Sequence, residues 1–562
     1  MNSMLKLTCL LEGRSTSRSF PTYMGSNSRV FDLEQHLLAV IDQKYIPRGG
    51  PRNTPILWIT NLGKVRQASS LSLDSLPDKK RLWDPTQPLS TLPQGTAILV
   101  QLAQKDVPVV AAASGPASST SAGGQSTSEA GILKKTLPDL MYDRYREPSN
   151  ASTISSFRRV PMSVKNWSSF RSAATSASKK CSTEQKFDDS EFRFVNRNAQ
   201  ISDETSLASV MFSDVLRLLN DLLAPEFAFV YSSATNVAGR PDFVGKTHPY
   251  QARVLIEVKT KWVLGCEDLV KKYNNDIASI AAGLEPRNPI WPYVLQMFLY
   301  LSLNRLRYGV LTTYEQTWFL RRDEGVLHVS PAIRHHDTLP TVLQCYKHIV
   351  DLANEDHISA PAPLTLSLNG QHVRRQDFQK IDSNKLEAQE SLGLQQVDLG
   401  EFELQEVIGE GRSGRVFRAF WRDKPVALKI CDLYKNPKYE EEILTEVAVY
   451  QALESLQGIY VPRLRIVGYD GGLFAFAMDM AGSPVEVESL SDADRLKIVQ
   501  CLTEIHRHGI LHNDIRRENI LVCRESGRLQ VRFIDFASSK AHSNEHEMER
   551  EMTMLRRLLE MD

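Results

Sequence analysis

Five residues in the last third of the chain have the types and spacing to do chemistry together. Lys429 stands in PVALKI, Glu446 in EVAVYQAL, Asp514 and Asn519 in LHNDIRRENILV, and Asp535 in VRFIDFASS. The lysine can grip phosphate oxygens, with the glutamate to hold it. Asp514 can accept the proton of an attacking hydroxyl. Asn519 and Asp535 offer oxygens to Mg²⁺. Phosphoryl transfer asks for positioning and charge neutralisation more than covalent help, and these side chains supply both. A second set lies upstream, Pro241-Asp242 followed by Glu257-Val258-Lys259. Two carboxylates that hold Mg²⁺ and a lysine beside them suit phosphodiester hydrolysis. The lysine would orient the attacking hydroxide and stabilise the crowded transition state.

The elements that must position these groups can be read locally. In VIGEGRSGRVFRA, Gly409, Gly411 and Gly414 precede Val416 and lie between two strand-like runs. That context favours a hairpin lid over phosphates and disfavours a dinucleotide-binding turn. The next strand carries Ala427 and Lys429, with Ala427 expected against the nucleotide. The helix EEEILTEVAVYQAL offers Glu446 as the partner of Lys429, in preference to Glu440, Glu441 and Glu442. Upstream, ARVLIEVKTKW reads as a strand with Glu257 and Lys259 on one face, and Asp242 sits in the turn before it. LQMFLYL puts Gln296 and Tyr300 four apart on a helix, and RYGVLTTYEQTWFLRRD reads as two further strands. SLASVMFSDVLRLLNDLL is an amphipathic helix that stops before Pro225.

The whole chain has 562 residues, 42% of them hydrophobic, with 67 basic and 67 acidic side chains. Charge balance therefore selects no partner. Seven scattered cysteines form no C-x-x-C pair, which argues against a zinc knuckle or a disulfide framework and for reduced thiols. Neither an ordinary signal peptide nor a long apolar run is visible, so a membrane partner is not expected. The expected class is multidomain α+β. Residues 1–105 read as strand, strand, helix (30–41), strand, strand. Residues 106–190 read as a Ser/Ala-rich disordered linker, with basic residues Arg158, Arg159, Lys165, Arg171, Lys179 and Lys180 interleaved with aromatics; this stretch is either a solvated linker or a contact for nucleic acid phosphates. Globular segments follow at 191–353 and 401–562, joined by a connector at 354–400.

Three resemblances follow from these residues. Asp242, Glu257 and Lys259, with Gln296 and Tyr300 on the following helix, resemble the PD-(D/E)xK restriction-endonuclease-like superfamily. That resemblance implies an α/β core, Mg²⁺ on Asp242 and Glu257, Lys259 as a catalytic residue, and DNA as a partner contacted through Gln296 and Tyr300. Residues 401–562 resemble a protein kinase domain, bilobal with a shortened C-lobe. This implies ATP and Mg²⁺, a protein phosphoacceptor modified on serine or threonine in preference to tyrosine, and catalytic roles for Lys429, Glu446, Asp514 and Arg516. The departures are Asn513 for the usual arginine, Arg516 for the usual lysine and Ala537 for the usual glycine. With 25 residues after Ala537, neither an activation loop nor peptide-docking helices are expected. The first hundred residues (LKLTCLLEG, SFPTYM, VFDLEQHLLAVI, ILWITNL, AILVQL) resemble the ubiquitin-like β-grasp header of crinkler effectors. Together these imply a secreted effector that enters a host cell and its nucleus and phosphorylates a host protein. The alternatives left open are an inactive DNA- and ATP-binding effector and an intracellular nuclease regulated by its kinase module.

Overall fold

The computed structural model describes residues 126–143, 159–184, 186–189, 192–194, 200–247, 251–360, 362, 394–525, 527–541 and 544–561. It also describes strand segments at 5–11, 20–24, 55–61, 80–81, 96–102, 367–368 and 371–372. The chain divides into two compact units, Met1–Ser121 and Ala122–Asp562. In the first, strands β1 (Leu5–Leu11), β2 (Phe20–Met24), β3 (Pro55–Asn61), β4 (Lys80–Arg81) and β5 (Thr96–Leu102) form one sheet in the order β2-β1-β5-β3-β4. β1 runs antiparallel to β2 and parallel to β5. The helix expected over 30–41 lies outside the described residues.

The second unit opens with a mixed sheet. Its strands are β6 (Ser163–Asn166), β7 (Phe227–Tyr231), β8 (Phe243–Thr247), β9 (Gln251–Val258), β10 (Tyr308–Thr312), β11 (Gln316–Asp323) and β12 (Val326–Val329). They lie in the order β7-β8-β9-β10-β11-β12-β6. Alternation along β9 sorts its two faces. Val254, Ile256 and Val258 join a core with α1 (Phe170–Ser178), α2 (Glu204–Val210), α3 (Arg217–Leu223) and α6 (Val342–Glu355). Leu255 faces the opposite core, which holds α4 (Leu269–Ala281) and α5 (Trp291–Leu303). Glu257 and Lys259 belong to that second face.

Part of the stretch expected to be linker is built into this domain. β6 pairs in parallel with β12, and Trp167 and Phe170 are buried. The expected basic phosphate contact is corrected in part. Arg159 is buried and ion-paired with Asp398 and Asp470, and Arg171 is paired with Asp337. The physical reason is the interleaved aromatics, whose burial outweighs the ordering entropy of a segment otherwise rich in Ser and Ala.

The C-terminal part has a sheet of β13 (Phe402–Glu410), β14 (Arg415–Trp421), β15 (Lys424–Asp432), β16 (Leu464–Asp470) and β17 (Leu473–Asp479), ordered β16-β17-β15-β14-β13. Gln395–Gln396, from the expected connector, adds to the β16 edge. α7 (Glu440–Ala452) packs beneath this sheet. A helical part follows, with α8 (Asp492–Arg507), the hairpin β18 (Ile520–Glu525) and β19 (Arg528–Phe533), and α9 (Glu545–Leu558). Alternation along β15 again decides function. Val426, Leu428 and Ile430 share a hydrophobic core with α4 and α5, so the two globular parts are packed face to face. Lys429 and Ala427 point the other way, toward α7.

Candidate active site and a second carboxylate centre

Four short elements bring the five C-terminal residues together. Lys429, on β15, donates to Glu446, on α7, at 2.6 Å, and its ammonium lies 3.6 Å from Asp535. Arg516 reaches Asp514 and Asp535, each at 3.1 Å. Asn519 Nδ2 donates to the Asp514 carboxylate and to its backbone carbonyl, both at 2.9 Å. With its amide protons committed to Asp514, Asn519 offers its oxygen to a cation. Asp535 offers a second, from a left-handed backbone conformation (φ 68°) that Asp tolerates better than most residues. This donor set fits Mg²⁺.

Electrostatics agree with the geometry. Burial alone would lower the Lys429 pKa, but Glu446 and Asp535 outweigh it and hold the ammonium above the usual lysine range. Burial alone would raise Asp535, but Lys429 and Arg516 outweigh it and keep the carboxyl below its ordinary value. Phe536, fully buried, packs on Tyr450 of α7 and on His512, so the segment carrying Asp535 is tied to the helix carrying Glu446.

The glycine-rich hairpin joins β13 to β14, and Gly411 donates to the Gly414 carbonyl at 2.9 Å. A Cβ at Gly414 would sit 2.6 Å from the Ile430 carbonyl oxygen and 2.7 Å from Cys431 Sγ, so this position requires glycine. Gly409 and Gly411 have no such obstruction. Val416 is the cross-strand partner of Lys429, and Ala427 lies two residues before it on the same face of β15.

The loop around Asp514 is held by a residue that sequence reasoning missed. Glu551, on α9, accepts hydrogen bonds from the backbone N–H groups of His512 and Asn513 and contacts His506 Nε2 at 2.7 Å. Asn513, which stands where the resemblance has arginine, donates its side-chain amide to the Ser538 carbonyl. A glutamate in an amphipathic C-terminal helix gives no signal beyond its place on the apolar side.

The upstream set also converges. Asp242 accepts from the Val258 N–H at 2.7 Å, which seats it beside Glu257. Lys259 lies 2.8 Å from Glu257 and 2.9 Å from Glu204, at the start of α2. Gln296 donates to Glu257 at 3.1 Å and to the Tyr300 hydroxyl at 2.9 Å. Glu204, Asp242 and Glu257 present carboxylate oxygens within 4.8 Å of one another. Glu257 is wholly buried, and its Oε2 has no hydrogen-bond partner. A buried carboxylate oxygen without a donor fits a divalent cation. Sequence reasoning did not find Glu204, whose only signal is an acidic residue directly after the capping Asp203. It also did not find Asp432, which receives the Tyr300 hydroxyl and the Arg240 N–H, or Lys435, which enters the cluster from the C-terminal part. The Tyr300 ring lies where a Cβ on Gly239 would fall, 2.4 Å from its Cε1, and Gly239 has φ 80°, so glycine there makes room for the tyrosine.

Comparison with known proteins bears on the C-terminal part. Residues 402–555 match the protein kinase domain. The chain is 27% identical over 164 residues to "Probable serine/threonine-protein kinase gdt2" of Dictyostelium discoideum, which covers 27% of this chain and 10% of that protein. It is 26% identical over 149 residues to the serine/threonine-protein kinase dkf-2 of Caenorhabditis briggsae, 24% and 12% of the two chains. It is 23% identical over 183 residues to the serine/threonine-protein kinase SBK2 of Mus musculus, 29% and 49% of the two. The chain thus spans about a tenth of the first two relatives and about half of the third. The C-terminal segment of this chain is a protein kinase domain, similar to those of serine/threonine kinases.

Proposed function

We propose that the C-terminal domain transfers the γ-phosphoryl group of ATP to a serine or threonine hydroxyl of a protein. The observation that carries this reading is the closure of Lys429, Glu446, Asp514, Asn519 and Asp535 into one network of contacts between 2.6 and 3.6 Å. Bound Mg²⁺ supplies neutralisation of charge on the phosphates, held by Asp535 and Asn519. Lys429, aligned by Glu446, engages phosphate oxygens; Asp514 takes the proton of the incoming hydroxyl; Arg516, between Asp514 and Asp535, stabilises charge that develops on the transferring group. The glycine-rich hairpin, with Val416 and Ala427, covers the nucleotide. Incubation of the full chain with labelled ATP, Mg²⁺ and a mixture of acceptor proteins, followed by phosphoamino-acid analysis, tests this. Label in phosphoserine or phosphothreonine is expected; label confined to phosphotyrosine, or absent, contradicts it.

A second reading is favoured by the unpartnered Glu257 Oε2 within the Glu204–Asp242–Glu257 cluster: residues 191–353 form a nuclease-like module that binds a divalent cation and cleaves DNA with help from Lys259, Gln296 and Tyr300. Glu257→Gln is expected to abolish Mn²⁺-dependent nicking of plasmid DNA, read on a gel, and to leave phosphotransfer within about twofold. Nicking that persists in this variant rejects the reading.

For the whole chain, we propose a crinkler-like effector that is exported and acts in a host cell and its nucleus. The β2-β1-β5-β3-β4 order, with β1 parallel to β5, supports a ubiquitin-like header over residues 1–105. The localisation rests on the family resemblance.

A further inference from the structure

The upstream carboxylate centre holds a cation that its own domain does not supply. Lys435 lies in the turn between β15 and α7, and its Nζ is 2.7 Å from Glu257, 2.8 Å from Asp242 and 3.1 Å from Glu204. It therefore contacts all three of the carboxylates that could hold a metal. An ion that bridged the three oxygens Lys435 contacts, Glu257 Oε1, Asp242 Oδ1 and Glu204 Oε1, would occupy its position.

Charge counting points the same way. Three carboxylates against Lys259 and Lys435 leave one net negative charge. A divalent cation in place of Lys435 brings these groups to neutrality; both together would set two cations against the same three oxygens, where they repel each other in a buried site. Hard divalent cations also prefer carboxylate oxygen, and approach it more closely than an ammonium group does.

The turn that delivers Lys435 is anchored. Asp432, at the end of β15, receives the Tyr300 hydroxyl and the Arg240 N–H from the upstream domain, and its other oxygen accepts from the Tyr434 N–H at 3.1 Å. The Tyr434 ring meets Tyr300 edge-on at 6.2 Å between ring centroids. Lys435 is thus held in the cluster by the strand that also carries Lys429.

We propose that Lys435 and a divalent cation compete for one position among Glu204, Asp242 and Glu257, so that the β15–α7 turn of the kinase domain holds the upstream centre closed. The proposal rests on the second reading above, that this cluster is a metal site. Once Lys435 withdraws, the three carboxylates are free to take the ion; while it stays, the ion must displace it, so the upstream chemistry needs more Mn²⁺ than the carboxylates alone would require.

The test is Mn²⁺ titration of the full chain without nucleotide, followed by electron paramagnetic resonance of free Mn²⁺, for wild type, Lys435→Met, Glu257→Gln and the double variant. Lys435→Met is expected to bind Mn²⁺ at least tenfold more tightly than wild type, and the gain should vanish in the double variant. Asp432→Asn, which retains Lys435 but loosens its turn, should shift affinity in the same direction by a smaller factor; it keeps the test open if Lys435→Met does not fold. Equal affinity in wild type, Lys435→Met and Asp432→Asn, with binding lost in Glu257→Gln, overturns the competition and leaves the metal site standing. The absence of any Glu257-dependent Mn²⁺ binding in every protein overturns the metal-site reading and the proposal with it.

Discussion

Asp514→Asn should slow phosphoryl transfer by about 100- to 10,000-fold, the range expected for loss of a positioned general base, while ATP affinity changes by less than about threefold. The variant keeps the shape of the side chain and an oxygen that Asn519 and Arg516 can still engage. What it loses is the carboxylate proposed to accept the hydroxyl proton. The groups proposed to hold the nucleotide, Lys429 with Glu446 and Asp535, are untouched, and the first two meet directly at 2.6 Å. Single-turnover transfer beside nucleotide binding by calorimetry separates the two quantities. Equal loss of affinity and rate would mean that Asp514 shapes the nucleotide site and has no part in proton transfer.

Glu551→Ala should be the most damaging change outside the cleft. Glu551 is about 5% exposed and accepts from two adjacent backbone N–H groups, those of His512 and Asn513. Removing the carboxylate leaves both donors without a partner, at about 1–3 kcal/mol each. A fall in the melting temperature of several degrees is expected, together with loss of transfer, because those two residues lead directly into Asp514. Burial tends to raise the Glu551 pKa, but His506 and the two N–H groups outweigh it and hold the carboxyl below its ordinary value. A carboxylate whose folded pKa is depressed adds stability above its unfolded pKa and loses it as pH falls through the folded one. The melting-temperature gap between wild type and Glu551→Ala should therefore narrow on acidification below about pH 4.

The convergence of Lys429, Glu446, Asp514, Asn519 and Asp535 was legible in sequence because these residues lie in short local motifs. LHNDIRRENILV sets Asp514, Arg516 and Asn519 by loop spacing alone, and PVALKI fixes Lys429 by strand alternation. Choosing Glu446 over Glu440, Glu441 and Glu442 was possible because its neighbours carry the helix's apolar face: Ile443, Val447 and Tyr450 are buried with it. The upstream centre was half legible. Asp242, Glu257, Lys259, Gln296 and Tyr300 follow from one hairpin and one helix. Glu204 approaches from a separate helix, and Lys435 comes from 178 residues beyond Glu257, so neither carries a local signal. The packing of the two domains was hidden for a similar reason. Alternation in β15 says that Val426, Leu428 and Ile430 must be covered, but it does not say by what; α4 and α5 are the answer. The linker reading failed between residues 159 and 178 because Ser and Ala dominate the composition, while a few aromatics dominate the energy.

The proposed role of the cluster around Lys429 and Asp535 is Mg²⁺-dependent phosphotransfer. Its most direct test is the rate of label transfer from γ-labelled ATP to protein as Mg²⁺ is titrated, for wild type, Asp535→Asn and Glu257→Gln. Saturable, Mg²⁺-dependent transfer is expected of wild type and Glu257→Gln, and a rate below about one hundredth of wild type of Asp535→Asn. Transfer that survives in Asp535→Asn, or wild type that binds Mg²⁺ and ATP without transferring label to any acceptor, would contradict it.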